Sequence, residues 1–140
     1  MNLYAESSAV LAWLFGEPAG VAVREILKEA DSIAASDLTL VECERALIRM
    51  VKIGGMDEAT AADSRSRLGA VAAHWHMWQF DSEIVQRAKK PFPFEPIRTL
   101  DALHLASALQ ARSTLPGLEL LTLDDRIRSA GKQLGFRVKP

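Results

Sequence analysis

The hydrophobic pattern of this 140-residue chain alternates short apolar runs with longer segments of helical period. Leu3–Ala5 is an apolar run that stops at Glu6-Ser7-Ser8. It reads as a strand followed by a helix over Ala9–Phe15, with Ser7 or Ser8 as the N-cap and Gly16 and Pro18 as the stop. Val21–Glu29 continues as a second helix, with Val23, Ile26, Leu27 and Ala30 along one side. Ser32–Ala35 predicts a short strand. Ser36 or Asp37 then caps a long helix that runs to about Ile53 and stops at Gly54-Gly55. Glu58–Ala73 predicts a helix, His76–Phe80 a strand and Ser82–Lys89 a helix.

The prolines of Pro91-Phe92-Pro93-Phe94-Glu95-Pro96 force a loop. Beyond it, Thr99 caps an almost wholly apolar helix, Leu100–Ala111. The continuous apolar run Leu118–Leu123 fits a strand buried on both faces. Asp124-Asp125 opens a helix to about Leu134, and Phe136–Val138 is a last short strand. Strands alternating with helices predict an α/β fold, a three-layer α/β/α sandwich around a central parallel sheet. The length suits one domain over residues 1–140, and no shift of composition divides it.

Composition narrows the chemistry. With 49% apolar and 25% charged residues, the chain can build a core and stay soluble. A net charge of −1 excludes the broad basic field of a general nucleic-acid binder, so contact with nucleic acid would need a local basic patch or metal ions. The lone cysteine, Cys43, cannot form an internal disulfide, which points to a reducing cytoplasm. Ala9–Phe15 is too short and too near the terminus to act as a signal peptide, and no segment is long enough to span a bilayer.

Four acids fall near predicted strand-to-helix junctions, where an open parallel sheet binds its ligands. Glu6 ends the first strand, Glu42 lies in the second turn of the long helix, Asp101 opens the apolar helix, and Asp124 follows Leu118–Leu123. Carboxylates also suit first helical turns for purely local reasons, which is the competing account of Asp101, Asp124 and Asp125. Glu42 lies off the core stripe formed by Leu40, Cys43, Leu47, Met50 and Val51, on a face with Arg45 and Arg49, where a solvated ion-pair surface is the alternative. Clustered carboxylates repel, and Mg²⁺ or Mn²⁺ relieves that repulsion through hard oxygen ligands. Such a site supports phosphodiester hydrolysis, with nearby helix N-termini favouring the phosphate. No Cys/His set has zinc spacing, and no phosphate-binding glycine loop or nucleophile elbow is present. His104 follows Asp101 by one helical turn and reads as a core or supporting residue.

Four blocks in this order resemble those of PIN-domain ribonucleases of the VapC toxin type. They are Leu3-Tyr4-Ala5-Glu6-Ser7-Ser8-Ala9-Val10-Leu11, Ser36-Asp37-Leu38-Thr39-Leu40-Val41-Glu42-Cys43-Glu44-Arg45-Ala46-Leu47, Ile97-Arg98-Thr99-Leu100-Asp101-Ala102-Leu103-His104-Leu105-Ala106, and Leu121-Thr122-Leu123-Asp124-Asp125-Arg126. The resemblance implies a Mg²⁺- or Mn²⁺-dependent endoribonuclease that acts on RNA, is restrained by a small antitoxin and forms a homodimer. By the same match Glu6, Glu42, Asp101 and Asp124 are the catalytic acids, with Glu6, Asp101 and Asp124 as metal ligands. Ser8, Thr122 and Asp125 would support them, and Arg45 and Arg98 would meet phosphate or antitoxin.

One position departs from the pattern, because the family's first acid is usually aspartate and here it is Glu6. The extra methylene moves the carboxylate outward, which bears on metal geometry and preference. A catalytically weak PIN module that binds RNA or a protein partner is the alternative. A phosphoacceptor domain would need an aspartate nucleophile where Glu6 stands. Arg65 and Arg67 on the Glu58–Ala73 helix and the loop aromatics Phe92 and Phe94 are candidates for a dimer or antitoxin surface, with a solvated helix and a satellite hydrophobic cluster as the equal alternatives.

Overall fold

The computed structural model describes residues 1–140. Strand β1 (Asn2–Ala5) lies at the centre of the sheet, and its Leu3, Tyr4 and Ala5 have no exposed surface. It pairs in parallel with β2 (Ser32–Ser36) on one side and β4 (Glu119–Leu121) on the other, with Tyr4 opposite Ala34 and Leu120. β3 (His76–Trp78) and β5 (Val138–Lys139) form the edges, giving the all-parallel order β3-β2-β1-β4-β5.

Successive residues of a strand face opposite ways, and the core divides accordingly. Tyr4 and Ala34 pack on one side with Leu105, Ala108, Leu120, Ile127 and Phe136, from helices α6 (Thr99–Thr114) and α7 (Asp125–Gln133) and their flanks. Ala5 and Ala35 pack on the other with Val10, Cys43, Leu68 and Trp75. These come from α1 (Ser7–Leu14), α3 (Asp37–Lys52) and α4 (Glu58–Ala72) and its end. α2 (Pro18–Glu29) lies against α1, and α5 (Ser82–Ala88) against α6. The expected α/β/α sandwich is therefore the fold observed.

Several element ends differ from the sequence pattern. α2 begins at Pro18, whose fixed φ and missing N–H suit a first helical turn, so a residue read as a stop is a start. α6 continues to Thr114, and β4 shortens to Glu119–Leu121 because Thr122 and Leu123 already turn toward the site. No helix is long and apolar enough to cross a membrane.

The strand order reverses between β1 and β4, since β2 and β3 extend one way from β1 while β4 and β5 extend the other. The crevice at their carboxyl ends is where such a sheet offers a binding site. Glu6 follows β1 directly, and Thr122 and Asp124 follow β4.

Candidate active site

Glu6 lies at this switch point, held in place from both ends. Its backbone N–H donates to Leu121 O at 3.0 Å, so the residue is tied into the sheet although it precedes α1. Its buried carboxylate then accepts from three hydroxyls. Ser7 Oγ donates to Oε1 at 2.9 Å, Thr122 Oγ1 donates to Oε2 at 2.8 Å, and Ser8 Oγ also donates to Oε2. Ser8 in turn accepts from Leu123 N–H at 2.9 Å, and Thr122 from Asp124 N–H at 3.1 Å. Ser8 and Thr122, the hydroxyls expected beside the acids, are both bonded to Glu6 Oε2. None of the expected hydroxyl caps forms. α1, α3 and α6 follow Glu6, Ser36 and Arg98, and none of these has a side-chain cap bond.

Glu42 approaches from α3. It is partly buried, and its Oε1 accepts from Ser7 Oγ at 2.8 Å and lies 2.5 Å from His104 Nε2. Burial alone would raise this carboxyl, but the bonds from His104 and Ser7 and the charge of Arg98 outweigh it and hold Glu42 below its ordinary range. His104, only 1% exposed, also lies 3.7 Å from Glu6 Oε1 and 3.1 Å from Ser7 Oγ. Its Nδ1 faces the buried Tyr4 hydroxyl at 3.3 Å, and that hydroxyl is 3.2 Å from Ser36 Oγ. The sequence pattern points to a supporting place for His104 but carries no signal for the contacts of Tyr4, Ser36 and Ser7 with partners 32 to 100 residues away.

Asp101 and Asp124 form the other half. Arg98 Nε donates to Asp101 Oδ2 at 3.0 Å, and its Nη2 donates to Asp124 Oδ2 at 3.3 Å. Asp124 meanwhile caps α7 through Oδ1, accepting from Arg126 N–H at 2.9 Å and Ile127 N–H at 3.0 Å. Asp124 is therefore the local helix cap and also shares Arg98 with Asp101. Burial pushes the Asp101 carboxyl above its ordinary range; Arg98 opposes this, and the charges of Asp124 and Glu6 reinforce it. Thr122, bonded to Glu6 and to the Asp124 backbone, joins the two halves.

Five expected contributors, two to the site and three to a partner surface, stand apart from the acids. Arg45 is exposed and forms no ion pair, so the helical spacing that set it beside Glu42 does not carry it to the acids. Asp125 is exposed in the first turn of α7 and bonds to none of the cluster, which leaves it the favourable dipole position alone. Phe92 is buried in the core with Arg87 stacked 4.1 Å from its ring centre, so the proline loop does not present it to a partner. Arg65 is engaged by Glu44 at 2.7 Å, and Arg67 donates to Leu14 O at 3.3 Å.

Four carboxylates thus converge with Arg98 as the one permanently charged counter-group bonded to them. An oxygen-rich set with excess negative charge fits a hard divalent cation. The tightest donor group is Glu6, Glu42 and His104, each offering an atom within 4.8 Å of the others. Asp101 and Asp124, expected as ligands with Glu6, are bridged by Arg98.

A PIN-domain model matches residues 3–133. Ribonuclease VapC46 of Mycobacterium tuberculosis is 34% identical over 136 residues, covering 97% of this chain and 95% of that protein. Among solved structures, M. tuberculosis VapC20, described as a sarcin-ricin loop cleaving toxin, superposes with a TM-score of 0.67 at 11% identity, covering 92% of this chain and 95% of that one. A toxin–antitoxin complex from Klebsiella pneumoniae gives 0.63 at 17% identity, covering 100% and 97%. With the family model spanning nearly the whole chain and the acids gathered where the fold places its crevice, this protein belongs to the PIN-domain family.

Proposed function

We propose that this protein is a divalent-metal-dependent endoribonuclease and the toxin of a toxin–antitoxin pair. The observation that carries this is the convergence of Glu6, Glu42, Asp101 and Asp124 at the sheet's switch point, with Arg98 alone to balance them. A ribonuclease relative over nearly the full length supports the reaction, and a toxin–antitoxin complex among the similar folds supports a small antitoxin partner.

Glu6, Asp101 and Asp124 are the proposed ligands of Mg²⁺ or Mn²⁺, and Glu42 completes the acidic set. A bound divalent ion supplies an activated water and stabilises charge on the phosphate. Glu6 can hold its orientation because three hydroxyls grip both of its oxygens. Arg98, 62% exposed at the mouth of the cluster, is the side chain able to exchange a carboxylate for an incoming RNA phosphate. The buried free thiol of Cys43 suits a reducing cytoplasm.

The test is RNA cleavage with Mg²⁺ and with Mn²⁺. Asp101→Asn and Asp124→Asn should abolish cleavage while the thermal midpoint stays close to that of the unaltered protein. If the unaltered protein cleaves no RNA with either ion, the nuclease reading fails.

A further inference from the structure

Beneath the carboxylates lies a buried polar chain that neither the fold nor the acid pattern requires. Tyr4 lies on β1 and Glu6, two residues on, continues its extended course, so both face α6, and Ser36 at the end of β2 faces the same way. His104 reaches the same space from α6, one turn beyond Asp101. The four side chains are almost fully buried.

Donor accounting assigns each proton. A carboxylate oxygen only accepts, so the 2.5 Å contact between Glu42 Oε1 and His104 Nε2 is made with the proton on Nε2. In the Nε2–H tautomer Nδ1 is an acceptor, and the group facing it at 3.3 Å is the Tyr4 hydroxyl. A phenol carries one hydroxyl proton that can be placed on such an acceptor. The same hydroxyl lies 3.2 Å from Ser36 Oγ, which helps to fix it. Ser7 has a single proton and two carboxylate neighbours, Glu6 at 2.9 Å and Glu42 at 2.8 Å. With Nε2–H also on Glu42 Oε1, that carboxylate keeps a donor whichever of the two Ser7 serves.

We infer that His104 is a positioning residue: anchored at Nδ1 by Tyr4 and Ser36, it presents Nε2–H to Glu42 and fixes that carboxylate beside Glu6. The inference deepens the metal-site reading, which it takes as given. Groups that hold a ligating carboxylate typically change metal affinity by roughly 10- to 100-fold when removed. His104 would act on metal binding without touching the ion.

The experiment has two arms. In the first, ¹⁵N spectra of the metal-free, unaltered protein should show His104 protonated at Nε2 and unprotonated at Nδ1, and Tyr4→Phe should erode that preference. A proton on Nδ1 in the unaltered protein would overturn the inference. In the second arm, Mn²⁺ binding is measured by calorimetry for Tyr4→Phe, His104→Leu and His104→Gln. His104→Leu should weaken binding by roughly 10- to 100-fold. His104→Gln, which keeps an N–H near the Nε2 position, should recover most of that loss. Tyr4→Phe should weaken binding by a smaller factor. Unchanged affinity in both Tyr4→Phe and His104→Leu would sink the inference. So would direct coupling of an imidazole nitrogen to bound Mn²⁺ in pulsed electron-spin spectra, which would make His104 a ligand. If His104→Leu does not fold, Tyr4→Phe and the ¹⁵N arm still decide. Failure of the unaltered protein to bind Mn²⁺ would overturn the metal reading, and with it the role assigned to His104 in metal binding; the ¹⁵N arm would then judge the hydrogen-bond chain alone.

Discussion

Replacing Glu6 with aspartate asks whether the site is cut to the longer side chain. The Glu6 N–H is bonded to Leu121 O at 3.0 Å, so the backbone is part of the sheet and cannot slide outward. Removing one methylene therefore retracts the carboxylate by about 1.5 Å, the length of one carbon–carbon bond. The donors now 2.9 and 2.8 Å away, Ser7 and Thr122, would fall outside hydrogen-bond range, and Ser8 would lose its carboxylate partner as well. A hydrogen bond to a charged group contributes about 1.5–3 kcal/mol when its partners are otherwise unmet. Here the loss is partly offset, because Ser8 and Thr122 keep bonds from the Leu123 and Asp124 N–H groups and water can reach the half-buried Ser8.

The net expectation for Glu6→Asp is a destabilisation of about 2 kcal/mol at neutral pH, read from the midpoint of urea unfolding. Mn²⁺ affinity should fall with it, by roughly 10-fold or more, since the ligand oxygen has withdrawn and lost its orientation. Thr122→Val supplies the control. If Glu6 and Thr122 act through their shared bond, the double variant should cost less than the two single losses together. An aspartate variant as stable as the unaltered protein, with equal or tighter metal binding, would refute the argument. The family's usual aspartate would then fit these hydroxyls as well as glutamate does.

Three further outcomes follow from named contacts. Asp124→Ala should cost about 1 kcal/mol in thermal unfolding because it removes the α7 cap to Arg126 and Ile127, whereas Asp124→Asn keeps the cap and should leave stability nearly unchanged. Cys43 is fully buried, and burial, aided by neighbouring glutamates, pushes its thiol up to about 12; an alkylating reagent at pH 8 should modify it only after denaturant is added. Glu42 sits below its ordinary value of 4.5, so its ionised form contributes stability that is present above that value and is lost as pH falls through the lower folded value. The stability gap between the unaltered protein and Glu42→Gln should therefore be constant above about pH 5.5, one unit beyond that value, and close on acidification. A gap that widened with acid would contradict the assignment.

The parts of the site that depend on strand order were legible, because a single rule converts them into space. An apolar run ending in an acid puts Glu6 at a sheet edge, and a second run ending before Asp124 puts that acid beside it once the two strands are neighbours. The parts that depend on which side chains meet across the layers were not legible. Ser7 and Ser8 carry a strong local preference for helix capping, and that preference loses to two carboxylates, one of them arriving from α3. Arg45 has the right spacing from Glu42 on one helix, yet Arg98, from the loop before α6, bridges the two aspartates. His104 falls among the buried apolar residues of its helix and looks like core until Tyr4, 100 residues away, gives its second nitrogen a partner. The same misreading recurs in each case. A polar side chain in an apolar setting is assigned the nearest partner the local chain allows, while the fold supplies a stronger one from a distant element. The acids alone would form a mutually repelling cluster. The hydroxyls, His104 and Arg98 hold them together, and the variants that test those contacts are the ones that separate a working metal site from a chance gathering of carboxylates.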